Sequence, residues 1–286
     1  MHPCGWIPKP IPAILDELHA LSTHDVNWVF FIDDDFIGTD WPRVIELSQQ
    51  IHKAFPDMTF GSSFRATSFL SEQHVKNLGI LVENGLRSML IGAESFSSTQ
   101  LRRFGKSTVE KNITALHHIE KYQEVELTIG FLIDPLITLE EFRDSIGTLL
   151  REGYTSYIND PFRLLDIHLG TEYEKMARQA HVIDSFSEEE MKYNWHFLDE
   201  RMNGIQKEME LYRQEFGKKE KRIRNRYREV SRSAIRQETD LRHALKQKLN
   251  EIKRLKCKYL FELACHEVSS AQMTIQQIRR VESDEP

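Results

Sequence analysis

Ionisable side chains in this sequence gather at the ends of apolar runs. Asn27-Trp28-Val29-Phe30-Phe31-Ile32 leads directly into Asp33-Asp34-Asp35. Carboxylates grouped in this way can hold a divalent cation against a nucleotide diphosphate, or can cap the helix that follows. A second run leads into Gly92-Ala93-Glu94-Ser95, with Leu101-Arg102-Arg103-Phe104-Gly105-Lys106 behind it. A glycine there lets a ligand approach the backbone. The carboxylate of Glu94 can pair an ammonium or grip ribose hydroxyls, and a cation such as Lys106 can take a carboxylate. The competing reading of Glu94 and Lys106 is a surface ion pair. Arg65 and Asp134 end two further runs, and Asp160 to His168 follow a fifth.

The elements that must position these residues alternate. Strands are expected near 27–32, 58–64, 86–91 and 125–133, with a further strand-like run at Ser156-Tyr157-Ile158. Helices lie between them. Thr39 or Asp40 caps one that carries Val44, Leu47, Ile51 and Phe55 on a stripe, Ser71 caps the next, and others follow near 97–103, 107–121 and 138–153. Continuous apolar strands spaced by helices imply an α/β fold with a parallel sheet. Chemistry in such folds sits beyond the C-terminal ends of the strands, which is where the acidic and basic residues fall.

In order and spacing these segments resemble the radical S-adenosylmethionine (radical SAM) superfamily, in particular its cobalamin-dependent-like branch. The resemblance rests on Val29 to Phe36, on Ser63-Phe64-Arg65-Ala66-Thr67, on Gly85 to Ser95 with Leu101 and Lys106, and on Ile129 to Pro135 with Thr138 and Glu140 or Glu141. Leu169-Gly170-Thr171-Glu172-Tyr173 is a weaker echo. The resemblance implies an incomplete parallel (β/α) TIM-like barrel over residues 1–185, followed by a basic helical region over 186–286. It implies a [4Fe-4S] cluster and S-adenosylmethionine at the rim, and cobalamin through an upstream domain. In such enzymes the reduced cluster cleaves the sulfonium, and the 5'-deoxyadenosyl radical abstracts a hydrogen from a small-molecule or peptide substrate.

Carried over residue by residue, the resemblance places Asp33 and Asp34 by the methionyl ammonium or on substrate. Arg65 and Lys106 take the carboxylate, Glu94 and Ser95 the ribose or the amino group, and the backbone of Gly130 and Phe131 lies against adenine. The family's cluster ligands are Cys-x3-Cys-x2-Cys after the first barrel strand. This sequence has three cysteines, at 4, 257 and 265, none in that pattern. Cys4 would be the last of the three ligands. The resemblance therefore implies a truncated piece of a longer enzyme, or a homologue that kept the barrel as an interaction module. A metal-dependent glycosyltransferase using Asp33 to Asp35 is the alternative from the acidic triplet. Asp134-Pro135 stands where the family commonly has Gly-Pro or Gly-x-Pro.

Composition bounds these readings. With 40% hydrophobic and 10% aromatic residues the chain is globular, and no apolar run is long enough for a membrane span. Three cysteines make no disulfide framework and suit a reducing cytoplasm. The net charge of −6 conceals a division: residues 1–200 carry 17 basic and 31 acidic side chains, and 201–286 carry 21 and 13. Between 223 and 263 apolar residues recur at spacings of three and four, with a break near Gln237. Such a seam forms a helical hairpin packed within the chain, or a coiled coil joining two copies. The basic residues from Lys218 to Arg228 are interspersed with glutamate and lack aromatics, so a solvated helix face fits better than a nucleic-acid surface.

Overall fold

The computed structural model describes residues 7–158, 160–232 and 239–283. The chain divides into two compact units, one of residues 1–93 and 107–130, the other of 94–106 and 131–286.

The first unit begins with α1 (Ile11–Ser22) and then alternates β1 (Trp28–Phe31), α2 (Trp41–Ala54), β2 (Thr59–Arg65) and α3 (Glu72–Glu83). β3 (Leu86–Glu94) runs to the second unit's first residue, while α5 (Val109–Ile119) and β4 (Glu126–Phe131) return to the first. The sheet order is β1-β2-β3-β4, with β1, β2 and β3 parallel. The expected alternation of strand and helix is therefore present, but burial on both faces is not general: β2 and β3 carry buried residues, whereas β1 has Trp28 exposed and the rest half-buried, with Ile32 exposed just beyond it. Of the two candidate caps for α2, Asp40 takes the role and accepts from the Arg43 amide at 3.0 Å. Ser71 caps α3 through the His74 amide. α2 buries Val44, Leu47 and Ile51, the stripe read from the sequence. Phe36, Phe60, Phe64 and Phe69 form a contiguous set of ring contacts beneath the ends of β1 and β2.

The second unit contains α4 (Ser98–Arg103), α6 (Leu139–Arg151) and α7 (Glu172–Gln179), a hairpin of β5 (Ile183–Ser187) and β6 (Lys192–Trp195), and the helices α8 (Arg201–Arg232), α9 (Thr239–Ala264) and α10 (Val268–Ser283). Three differences from the sequence reading stand out. β3 continues through Gly92 to Glu94, three residues past the expected end, because the parallel register with β2 carries Gly92 opposite Arg65. Tyr154–Tyr157 forms a 3-10 turn rather than a strand, entered through Gly153 at φ +77°. The region from 186 is not helical from its start, since β5 and β6 pair antiparallel from 183 to 195. The hairpin packs Tyr193 with Ile167, Ala177 and Val182 in a small separate core. Its strands are short and carry mixed polar residues, so their apolar alternation is weak in the sequence.

The apolar seam is used within the unit. α9 packs on α6, α8 and α10, burying Leu245, Ile252, Leu255 and Leu260. Gly147 of α6 allows close approach, since a Cβ there would lie 3.0 Å from the Phe261 ring. The break near Gln237 lies outside the described residues. Among the described residues no helix is long and apolar enough to cross a membrane.

Candidate functional site

The residues singled out from the sequence occupy distinct settings. After β1 the chain turns sharply. The Phe36 amide donates to the Ser63 carbonyl at 3.0 Å, and the Phe36 ring stacks on Phe31 at 5.0 Å. This anchor leaves Asp33 and Asp34 exposed and turns Asp35 inward. Asp35 meets Arg65 at the end of β2, with Oδ2 3.0 Å from Nε. The triplet therefore does not present three carboxylates together, and the helix cap is Asp40. Among the described residues no group of three His, Cys, Asp or Glu could hold a metal ion.

At the end of β3, Glu94 adopts φ +62°, an uncommon backbone for a residue with a Cβ. Its carbonyl accepts from the Leu132 amide at 2.9 Å, and Lys106 Nζ donates to its Oε1 at 3.2 Å. The charged pair expected from the sequence is formed, with Lys106 exposed and Glu94 half-buried. Ser95 is buried; its Oγ accepts from the Ser97 amide at 2.9 Å and lies 3.2 Å from Ser145 Oγ. Gly130 and Phe131 are the last residues of β4, the first half-buried and the second buried. Asp33, Asp34, Arg65 and Gly130 belong to the first unit, whereas Glu94, Ser95, Lys106 and Phe131 belong to the second. Cys4 lies outside the described residues.

The most elaborate polar cluster was not foreseen. Asp134, fully buried, accepts from Gln100 Nε2 at 2.6 Å, from Arg103 Nη2 at 3.2 Å, from the Leu136 amide at 2.9 Å and from the Tyr173 hydroxyl. Arg103 also donates through both terminal nitrogens to Glu141, each at 2.9 Å. Glu141 in turn completes a capping box with Thr138 at the start of α6. Burial works against the Arg103 charge, yet its bonds to Glu141 and the charge of Asp134 hold the guanidinium protonated more firmly than usual. Burial, then the Asp134 charge, pushes the Tyr173 hydroxyl upward, so it remains a proton donor. Two sequence signals pointed here: the aspartate at the family's glycine position, and Tyr173 in the weak Gly-Thr echo. Neither identified Gln100 or Arg103 as partners, because those contacts join residues more than 30 apart in sequence.

A [4Fe-4S] cluster needs three converging thiolates. Cys257 stands on α9 and Cys265 in the turn directly after it; Cys257 is fully buried and burial pushes its thiol up to about 12. A thiol so disposed resists becoming a metal ligand. The described residues do not fit the cluster.

A parallel β/α sheet with charged residues after its strands and a helical C-terminal part is the fold of the cobalamin-dependent radical SAM enzymes, as the resemblance in sequence implied. In particular, the chain is similar to the solved cobalamin-dependent S-adenosylmethionine radical enzyme OxsB. With aqua-cobalamin and S-adenosylmethionine bound, OxsB matches at a TM-score of 0.74 and 19% identity over 90% of this chain and 44% of its own. The form with aqua-cobalamin alone matches at 0.73 over 88% and 42%. In sequence, 4'-phospho-dehydrooxetanocin synthase of Priestia megaterium is 26% identical over 201 residues, 63% of this chain and 26% of that protein. The chain thus spans about a quarter of its curated relative and less than half of OxsB. No family model matches it.

Proposed function

We propose that this chain is the S-adenosylmethionine-holding part of a radical SAM enzyme related to the cobalamin-dependent branch. The observation that carries the reading is the coincidence of sequence similarity to a dehydrooxetanocin synthase with the fold of OxsB along most of the chain. In this reading Asp33 and Asp34 receive the methionyl ammonium. Arg65 and Lys106 attract the carboxylate by charge-assisted hydrogen bonds. Glu94 and Ser95 serve the ribose or amino group, and the backbone of Gly130 and Phe131 lies against adenine. The exposed carboxylates after β1 and the Glu94 and Lys106 pair after β3 have the charges this task needs. Cobalamin, named for OxsB, would be bound by residues other than these. Free thiols suit a reducing cytoplasm.

Binding and cleavage separate in this reading, because the described residues do not supply three thiolates. Calorimetry with S-adenosylmethionine should detect binding to the full chain, weakened by Asp34→Ala and by Glu94→Ala. Anaerobic treatment with iron and sulfide should give no stable [4Fe-4S] absorption and no 5'-deoxyadenosine. Absence of S-adenosylmethionine binding would leave the chain as an interaction module. Robust cleavage would show instead that this chain supplies the cluster ligands.

A further inference from the structure

The end of α10 carries a carboxyl group that its surroundings do not satisfy. Glu282, the penultimate residue of that helix, is 9% exposed. Both its carboxylate oxygens are buried out of reach of water, and neither has a hydrogen-bond partner among the described residues. The rest of α10 is held by ordinary contacts. Ala271 and Ile278 are buried, the Thr274 hydroxyl donates to Glu262 of α9 at 2.6 Å, and Arg279 donates to Glu215 of α8 at 2.7 and 3.2 Å.

The charged neighbours of Glu282 make matters worse for an ionised form. Glu220 of α8, itself buried, acts on it most strongly and Glu215 adds to the negative field, while Lys219 of α8 and Lys248 of α9 oppose it without bonding either oxygen. The buried cation nearby is already committed: Lys256 lies 3.7 Å from Glu220, whose other oxygen accepts from the Tyr212 hydroxyl at 2.5 Å. A second carboxylate in this setting gains no counter-charge. Ionised and unbonded, it is far costlier to keep from water than a neutral acid. Two events remove that cost: a proton on Glu282, or release of the helix end into water, and helix ends open more cheaply than whole units. We propose that the proton on Glu282 latches the end of α10 onto α8 and α9, and that its loss releases the last turns of α10 while α8 and α9 stay packed. Burial and Glu220 push this carboxyl up to about 7 from 4.5, so the latch works in the range below and around neutrality. It is independent of the cofactor reading.

Hydrogen–deuterium exchange of the full chain, read by mass spectrometry from about pH 5 to 8 and corrected for intrinsic exchange at each pH, tests the latch. In wild type the opening of a peptide spanning 276–283 should rise about tenfold per pH unit up to about pH 7 and then level off, because each opening releases one proton. A peptide spanning 250–260 of α9 should not follow it. Glu282→Gln, neutral at every pH and of the same shape, should show no such rise. Glu220→Gln, which removes the nearest like charge, should make the rise level off at lower pH; if this variant does not fold, Glu282→Gln carries the test. A flat profile in wild type would overturn the proposal, as would the same rise in Glu282→Gln. An α10 peptide unprotected even at the lowest pH would also overturn it. Loss of protection in α8, α9 and α10 together would mean that Glu282 acts on the unit as a whole and would overturn the local latch.

Discussion

Replacing Asp134 with asparagine tests whether the buried cluster in the second unit holds that unit together. The substitution keeps the shape and removes one charge. One carboxylate oxygen faces the Leu136 amide and the Tyr173 hydroxyl; the other faces Gln100 Nε2 at 2.6 Å and Arg103 Nη2 at 3.2 Å. Either orientation of the new amide therefore sets its own N–H groups against donors. A hydrogen bond to a charged partner contributes about 1.5–3 kcal/mol, and Arg103 keeps its two bonds to Glu141, so the net loss is about 2–4 kcal/mol. For a chain of this size that lowers Tm by about 3–7 °C. Urea titrations and thermal melts of Asp134→Asn, Tyr173→Phe and the double variant complete a double-mutant cycle. A coupling of about 1 kcal/mol or more between the two positions is expected. A loss below about 0.5 kcal/mol for Asp134→Asn, or strict additivity with Tyr173→Phe, would refute the argument that this cluster is cooperative and stabilising.

Glu282, buried on α10 with neither carboxylate oxygen hydrogen-bonded, titrates high: burial and then Glu220 push it up to about 7 from 4.5, with Glu215 adding and Lys219 and Lys248 opposing. The folded state then holds more protons than the unfolded chain between those values. Its contribution is fully present below pH 4.5 and is lost as pH rises through 7. Glu282→Gln should match wild type at low pH and exceed it by about 2–3 kcal/mol above neutrality, measured by urea titration at several pH values. In the first unit, Gly61→Ala puts a Cβ 2.8 Å from Ser88 Cβ and 3.0 Å from the Ser88 carbonyl oxygen. It should cost about 1–3 kcal/mol, and Ser88→Gly should recover part of that loss in chemical denaturation. Iodoacetamide should leave Cys257 unmodified in the native chain and label it only in denaturant, as mass spectrometry of α9 peptides can read.

The sequence by itself determined the strands β1 to β4, the helix caps and the positions of the charged residues along those strands. These follow from local physics. Apolar runs make the strands of the parallel sheet, and Asp40, Ser71 and Thr138 satisfy amides within three residues of themselves. The same local pattern put Asp33, Asp34, Arg65 and Glu94 at strand ends. Tertiary structure alone decided what each of those residues meets. Three adjacent aspartates look alike in sequence, yet the Phe36 anchor exposes two and buries the third against Arg65. Asp134 became the centre of a buried cluster because Gln100, Arg103 and Tyr173 arrive from segments more than 30 residues away. The β5 and β6 hairpin depends on the same long-range packing, through Tyr193 and Ile167. Burial and hydrogen-bond partnership are properties of neighbours, and distant neighbours are set by how the chain returns on itself.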